Sequence, residues 1–285
     1  MRRFLIAISL FAAVPLAAQN PGPWDGVARI LKAPATPQAG YTRFNFPRRD
    51  LVVTIGDVTV APALALGTWL GFSGDPADAD VMGDLVLTEQ EVGPVQEALL
   101  RQGIMITATH NHLVGDHPHI TYVHVHAHGD AATLAARFDT VLSRSAVPRP
   151  VTPSSAPLSI DTARVFAALG QPGRAQGAVA QLGFMFVSGA VQMDGRTLVP
   201  AMAYGSPINV QMVNANRAVA TGDFSVPANH VEAVRNALVS HGITVTALHS
   251  HLVGETPAVY YMHFWADGPL DTVLTGLRAG IDAAR

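Results

Sequence analysis

Hydrophobic and polar positions alternate in two neighbouring stretches of the chain, residues 104–112 and 120–128. Alternation with a period of two is typical of β-strands that have one buried face. The segment between them, residues 113–119, contains glycine and proline and predicts the loop of a hairpin.

Apolar residues recur at helical spacing on both sides of this hairpin. Thr88 and Glu91 form a capping-box pattern before one apolar-periodic stretch, and Gly103 ends it. Asp130 begins a second such stretch. The order β-α-β-β-α, preceded by β-rich sequence over residues 41–72, predicts an α+β fold with an antiparallel sheet covered by helices. The order is loosely ferredoxin-like.

The pattern occurs twice. Residues 83–129 align without a gap on residues 222–268, with 20 of 47 positions identical. We therefore predict a duplication, with repeat domain 1 over residues 22–146, a Pro/Ser-rich linker over 147–157 and repeat domain 2 over 158–285. The two copies are expected to pack about a pseudo-twofold axis.

Three histidines of the first copy have a histidine at the equivalent position of the second. The pairs are His110 with His249, His112 with His251, and His124 with His263. If the hairpins pivot near His117 and Thr256, residue 110 lies opposite 124 and residue 249 opposite 263. The histidines would then continue the apolar core face and converge on one side of each hairpin.

Three neutral imidazoles around one point are a typical site for a divalent metal ion, here Zn, Cu, Ni or Fe. Asp116 and Glu255, in the equivalent hairpin loops, are candidates for a fourth ligand, a hydrogen-bond partner of a ligand, or a general base. The copies form either two three-histidine sites or one composite site. The alternative is that the histidines only form hydrogen bonds with the backbone or with Tyr122 and Tyr261.

Other candidates have simpler interpretations. Asp84 and Asp223 each follow an identical glycine at the expected start of a strand, which favours a turn or a backbone cap. Trp69 and Phe72 are expected in the core. His126 and His128 become Trp265 and Asp267 in the second copy, so they are not expected to be essential.

The composition restricts the remaining possibilities. The chain contains no cysteine, which excludes thiolate sites and disulfides, and its net charge of −3 argues against a nucleic-acid surface. Residues 1–18 combine two arginines with a short apolar run and small residues, the pattern of a secretory signal peptide. No transmembrane span is predicted in the mature chain.

Three segments, IDTARVFAALGQPGRAQGAV, GDLVLTEQEVGPVQEALLRQGI and ALHSHLVGETPAVYYMHFWADG, resemble the LppY/LpqO family of bacterial envelope proteins. The resemblance implies an exported protein of a family without established activity. The family's His-Asn-His pattern with a further histidine is similar to His110-Asn111-His112 with His124, whereas Ser250 occupies the middle position in the second copy.

These observations predict an envelope protein, periplasmic or secreted, that binds a divalent metal through a histidine cluster in each repeat. If it is an enzyme, a metal-dependent hydrolase is expected. The alternative is a non-catalytic binding module for peptidoglycan or another envelope ligand. The choice between enzyme and binder stays open at this point, as does the identity of the small molecule or envelope component that it would bind.

Overall fold

The computed structural model describes residues 22–153 and 156–285. The first repeat contains, in chain order, α1 (Asp25–Leu31), β1 (Ala35–Pro37), β2 (Thr42–Pro47), β3 (Val53–Ile55), β4 (Val58–Val60), β5 (Gly67–Asp75), β6 (Asp78–Thr88), α2 (Glu89–Arg101), β7 (Met105–His110), β8 (Asp116–His117), β9 (Ile120–Gly129) and α3 (Ala131–Leu142).

The second repeat follows the same order with small differences. It contains α4 (Thr162–Leu169), β10 (Gly173–Gln176), β11 (Val179–Phe184), β12 (Gln192–Met193), β13 (Arg196–Thr197), α5 (Pro200–Ala203), β14 (Ser206–Met212), β15 (Arg217–Val226), a 3₁₀ turn (Ala228–His230), α6 (Val231–Ser240), β16 (Thr244–His249), β17 (Tyr260–Pro269) and α7 (Leu270–Ala283).

Each repeat forms one six-stranded antiparallel sheet. The strand orders, β1-β2-β5-β6-β9-β7 and β10-β11-β14-β15-β17-β16, are equivalent strand for strand. The prediction of an α+β fold built from two tandem antiparallel sheets covered by helices is therefore confirmed. The predicted signal peptide over residues 1–18 lies outside the described residues, and so do residues 154 and 155 of the predicted linker.

One face of each sheet packs against the helices of its own repeat. Leu85, Val123 and Val125 belong to this core in the first repeat, and Phe224 and Phe264 in the second. The helices begin where the sequence predicts, because Glu91 accepts a hydrogen bond from the Thr88 amide at 2.9 Å and Asp130 accepts one from the Thr133 amide at 2.8 Å. Within the described residues, the helices are too short or too polar to cross a membrane.

The opposite face of each sheet packs against the other repeat. The segment around β3 and β4 contributes Val53 and Leu64 to a core shared with Val219 of the second sheet. Reciprocally, the segment around α5 contributes Met202 and Tyr204 to a core shared with Met82, Tyr41 and other residues of the first repeat. Each copy therefore covers the inner face of its partner sheet.

Side-chain amides of the second sheet form hydrogen bonds with the backbone of residues 59–64 of the first repeat. Gln211 accepts a hydrogen bond from the Ala61 amide at 2.9 Å and donates one to the Thr59 carbonyl at 2.8 Å, and Asn209 donates to the Leu64 carbonyl at 2.7 Å. Because buried backbone groups need such partners, these bonds define how the repeats are seated on each other.

The hairpin register differs from the sequence-based expectation. His110 pairs with Tyr122 and His249 with Tyr261, while His124 and His263 lie opposite Ala108 and Ala247. β7 also ends at His110, so His112 belongs to the loop. The shift by two positions keeps side chains on the same face of the strand, but it changes which residues are neighbours across the hairpin.

A β-bulge lies in each hairpin, between Ile106 and Ala108 and between Val245 and Ala247. A bulge adds one residue to one strand, so the side chains beyond it point to the opposite face. Ile106 packs against the helix-side core, whereas His110 lies on the face toward the other repeat. The prediction that the histidines continue the apolar core face was therefore wrong.

Candidate metal centre between the repeats

On the inner face of each sheet, one aspartate lies directly opposite one of the paired histidines on the neighbouring strand. Asp84 on β6 lies opposite His124 on β9, and Asp223 on β15 lies opposite His263 on β17. Both aspartates stand in the middle of long strands. The expectation that they form turns or backbone caps is corrected, because β6 and β15 each begin six residues earlier, at Asp78 and Arg217.

The histidines of both repeats meet in a single cluster. The rings of His110 and His249 are 4.3 Å apart, those of His112 and His263 3.8 Å, and those of His124 and His251 4.6 Å. Each of these contacts joins the two repeats. The sequence left two alternatives open, two three-histidine sites or one composite site, and these contacts correspond to the composite arrangement.

The half of the centre that the second repeat contributes is held by hydrogen bonds. Nδ1 of His263 lies 2.7 Å from Oδ1 of Asp223, and Nδ1 of His249 lies 3.0 Å from the Ser250 carbonyl. Because both partners are hydrogen-bond acceptors, the rings of His263 and His249 carry their protons on Nδ1. The Nε2 atoms then face inward: His263 Nε2 is 2.8 Å from His249 Nε2 and 3.4 Å from His251 Nε2.

The half from the first repeat is arranged differently. His112 lies between the two carboxylates, with Nε2 3.7 Å from Asp84 Oδ2 and Nδ1 3.5 Å from Asp223 Oδ1. Within the described part of the chain, five buried polar atoms of this half have no hydrogen-bond partner: both ring nitrogens of His110, both of His124, and Oδ1 of Asp84.

Three groups of side chains bring their ligand atoms within 4.8 Å of one another. They are His110 with His249, His251 and His263; Asp84 with His110 and His112; and His112 with Asp223 and His263. His124 is in none of these groups, although it stacks on His251. The centre is enclosed, since His263 is fully buried and His110 is only 8% exposed.

Burial determines the charge state of most of the rings. Removal from water lowers the pKa of His110, His251 and His263, and it lowers the pKa of His249 to about 4. These rings are neutral at pH 7 and have lone pairs available for a metal ion. His112 is the exception: burial lowers its pKa, but the carboxylates of Asp223 and Asp84 outweigh this and raise it.

Asp223 is ionised at neutral pH. Its burial raises the pKa of the carboxyl, but the neighbouring rings of His263 and His112 lower it by more. A carboxylate that holds a ring through Nδ1 is the usual arrangement behind a histidine that ligates metal through Nε2. The duplicated Gly-Asp pair was the sequence signal for both aspartates, and its functional meaning was not recognised.

The predicted loop carboxylates are placed away from these groups. Asp116 accepts hydrogen bonds from the Ile120 amide at 2.7 Å and from the His119 ring at 3.2 Å. Glu255 accepts from the Val259 amide at 3.1 Å and from the Ser250 hydroxyl at 3.2 Å. Both therefore stabilise the loops that follow the histidines, and neither belongs to a group of converging ligand atoms.

Four other residues considered from the sequence, His126, His128, Trp69 and Phe72, lie outside the groups of converging ligand atoms. His128 forms ion-pair contacts with Asp78 and Asp80 at the rim. His126 is buried, with Nε2 4.0 Å from the Asp80 carboxylate. The Trp69 ring is 6.3 Å from the His124 ring and is in edge contact with it, so Trp69 borders the centre, while Phe72 belongs to the helix-side core as predicted.

Comparison with known proteins identifies the family. Residues 25–144 and 163–283 each match the family model described as Domain of Unknown Function (DUF1259). The chain belongs to this family. The two DUF1259 matches coincide with the two repeats, so the duplication is of a complete family domain. No curated protein matches the chain, and the resemblance to the LppY/LpqO family stays a prediction.

Three solved structures are similar to this chain, and two of them are described as microcompartment shell proteins. EtuB from Clostridium kluyveri has 11% identity and a TM-score of 0.22, with 89% of this chain and 90% of that chain covered. PduB has 10% identity and a TM-score of 0.22, covering 88% and 90%. A double-ringed trimeric shell protein of the RMM microcompartment has 11% identity and a TM-score of 0.18, covering 75% and 86%.

These neighbours contradict the predicted envelope function. The prediction of a periplasmic or secreted protein, acting as a metal-dependent hydrolase or as a peptidoglycan-binding module, is not supported by these comparisons and is withdrawn. At such low TM-scores no property of the shell proteins is transferred to this chain.

Proposed function

We propose that the chain binds a divalent transition-metal ion at the junction of its two repeats. The ligands are Nε2 of His249 and of His263, a ring nitrogen of His251, and His110 from the other repeat. This composite site differs from a cluster within each repeat, because it is complete only when both copies are folded together.

The observation that carries the proposal is the close approach of inward-facing ring nitrogens. With their Nδ1 protons directed to Asp223 and Ser250, neutral His263 and His249 bring two Nε2 lone pairs within 2.8 Å of each other. Two lone pairs repel at this distance unless a cation lies between them. Burial disfavours an extra proton, since it lowers the pKa of both rings, and a metal ion supplies the missing positive charge.

The spacing is consistent with a small ion. Ligand nitrogens about 2.0–2.1 Å from a tetrahedral zinc ion lie roughly 3.3–3.4 Å from one another. His251 and His263 match this separation at 3.4 Å, and His249 needs to move outward by about half an ångström from its 2.8 Å contact. The rings are therefore nearly in position before the ion arrives.

The donor set favours Zn, Cu, Ni or Fe. All four ligands are imidazoles, which suit these ions, while Mg and Ca prefer oxygen ligands. Because His110 comes from the first repeat and the other three from the second, the ion would also link the two copies. Metal binding would then stabilise their association as well as the site itself.

Metal content is the direct test. The full chain is purified without added metal or chelator and measured by inductively coupled plasma mass spectrometry, beside His249→Gln and a control, His241→Gln, which removes an exposed histidine at the end of α6. We expect a bound transition metal in the wild type and the control and its loss in His249→Gln. Absence of metal from the wild type, after titration with Zn, Cu, Ni and Fe as well, would overturn the proposal.

A further inference from the structure

The first repeat leaves an unusual number of buried polar atoms without partners. Within the described residues, Oδ1 of Asp84 and both nitrogens of His110 and of His124 have none. A buried polar atom in this state is destabilising, because it has lost its hydrogen bonds to water and gained none in the protein. Five such atoms in one half of the centre therefore contribute unfavourably to the free energy of folding, and a bound ligand there would remove this contribution.

The centre also contains more donors than one ion uses. Six histidines and two aspartates face the interface, whereas a zinc ion in a protein usually takes about four ligands. The proposed site uses four of the histidines. His112, His124, Asp84 and Asp223 remain, of which Asp223 holds the His263 ring. Asp84 Oδ2 lies 3.7 Å from Nε2 of His112 and 3.8 Å from Nε2 of His110.

These three atoms have the geometry of a second site. Oxygen and nitrogen ligands about 2.0–2.2 Å from one ion lie roughly 3.3–3.8 Å apart for bond angles between tetrahedral and somewhat wider. Both measured separations from Asp84 Oδ2 fall at the upper end of that range. The carboxylate also supplies a negative charge, which the four-histidine site lacks among its direct ligands.

We infer that the centre holds a second divalent ion, bound by Asp84, His112 and His110. This inference rests on the proposed function, since the second ion shares His110 with the first site. His110 would bind one ion through each ring nitrogen, so its ring would release its N–H proton to solvent and act as an imidazolate. The side chains of His112 and Asp84 are partly exposed, at 13% and 10%. Water or another small ligand can therefore complete the coordination of the second ion.

The two positions should differ in affinity. Hydrogen bonds to Asp223 and Ser250 hold the rings of His263 and His249 in the four-histidine site (the inner site) before metal binds. The first-repeat residues have no equivalent support. Ordered ligands lose less conformational freedom on binding. We therefore expect the inner site to fill first and the Asp84 site to fill at a higher free metal concentration.

Zinc stoichiometry distinguishes this inference from the proposed function. Metal-free full-length protein is titrated with Zn²⁺ and examined by native mass spectrometry and isothermal titration calorimetry. The variants are Asp84→Asn and His112→Gln, and the matched control is Asp80→Asn, a carboxylate on the same strand that pairs with Arg196 at the rim. Circular dichroism confirms that each variant is folded.

Two ions are expected in the wild type and in Asp80→Asn, and one tightly bound ion in Asp84→Asn and His112→Gln. One ion in the wild type, removed by His249→Gln, would overturn the second site and leave the proposed function standing. No ion in the wild type would overturn both. Two ions in Asp84→Asn and His112→Gln as well would overturn the assignment of these ligands.

Discussion

The two halves of the centre come from equivalent sequences but are organised differently. In the second repeat, His263 is held by Asp223 at 2.7 Å and three ring nitrogens converge. In the first, the equivalent His124 has no hydrogen-bond partner among the described residues, and its strand neighbour Asp84 lies closer to His112 and His110. Equal residues at equal positions therefore need not have equal roles.

The difference arises because the site is shared. His112 occupies the space between the two carboxylates, one from each repeat, so only one of the two aspartates holds its own cross-strand histidine. Because the domain is duplicated, each donor occurs twice, and the packing of the repeats gives the two copies different neighbours. The comparison can be tested by changing equivalent residues in the two halves.

The largest effect is expected at the strand-paired histidines. His263→Gln removes a ligand from the inner site and should weaken its metal affinity by at least about 100-fold, since even the loss of a supporting residue costs about 10–100-fold. His124→Gln, at the equivalent position, should weaken the same site by less than about 10-fold. Competition with a chromophoric chelator measures both. Equal losses would show that the halves are equivalent.

A smaller effect is expected at the aspartates. Asp223→Asn changes the group that holds Nδ1 of His263 while leaving every direct ligand of the inner site in place. We expect the inner site to bind metal about 10–100-fold more weakly, with the stoichiometry unchanged. Asp84→Asn should alter the inner dissociation constant by no more than a few-fold. The reverse ranking would contradict the assignment of Asp223 as the support of the inner site.

The smallest effect concerns the pH dependence of the metal-free protein. His110, His251 and His263 have lowered pKa values because they are buried. Below about pH 6.5 these rings gain protons on unfolding, so stability is present above that pH and falls as the pH decreases. Each ring contributes about 1.4 kcal/mol per pH unit. His112, whose pKa is raised, contributes stability that is lost as the pH rises above about 6.5.

Urea unfolding of the chelator-treated protein between pH 5 and 7 measures this dependence. His251→Gln should flatten the slope below pH 6.5, because burial lowers the pKa of His251 and glutamine does not titrate. A wild-type stability that is constant from pH 7 to 5 would contradict the neutral state of the buried rings. Restoring metal should raise the stability, by about 2.7 kcal/mol at a free concentration of 100 times the dissociation constant.

Local pattern was a reliable guide to the elements and their order. The helix starts at Thr88 and Asp130 were predictable because capping depends on residues three positions apart. The duplication identified the three histidine pairs for a similar reason, since comparison of the copies needs no spatial model. The predicted duplication agrees with the two matches to the family domain.

The face on which the histidines lie was not predictable from alternation alone. A single bulged residue in each hairpin makes the side chains beyond it point to the opposite face of the sheet. The pattern of apolar residues before the bulge does not indicate that a bulge follows. The roles of Asp84 and Asp223 were missed for a related reason: a glycine followed by an aspartate is typical of a turn, and only the pairing with His124 and His263 shows that these two aspartates lie within strands.

The sequence by itself determined that this protein is a duplicated α+β domain, which residues are helix caps, and that six histidines occupy equivalent positions in two copies. The tertiary structure decided that these histidines form one centre between the repeats, that two strand aspartates join them, and that Asp116 and Glu255 serve the loops. The physical reason is that elements follow from interactions between neighbours in the chain, whereas a shared site depends on bulges and on the packing of two sheets against each other.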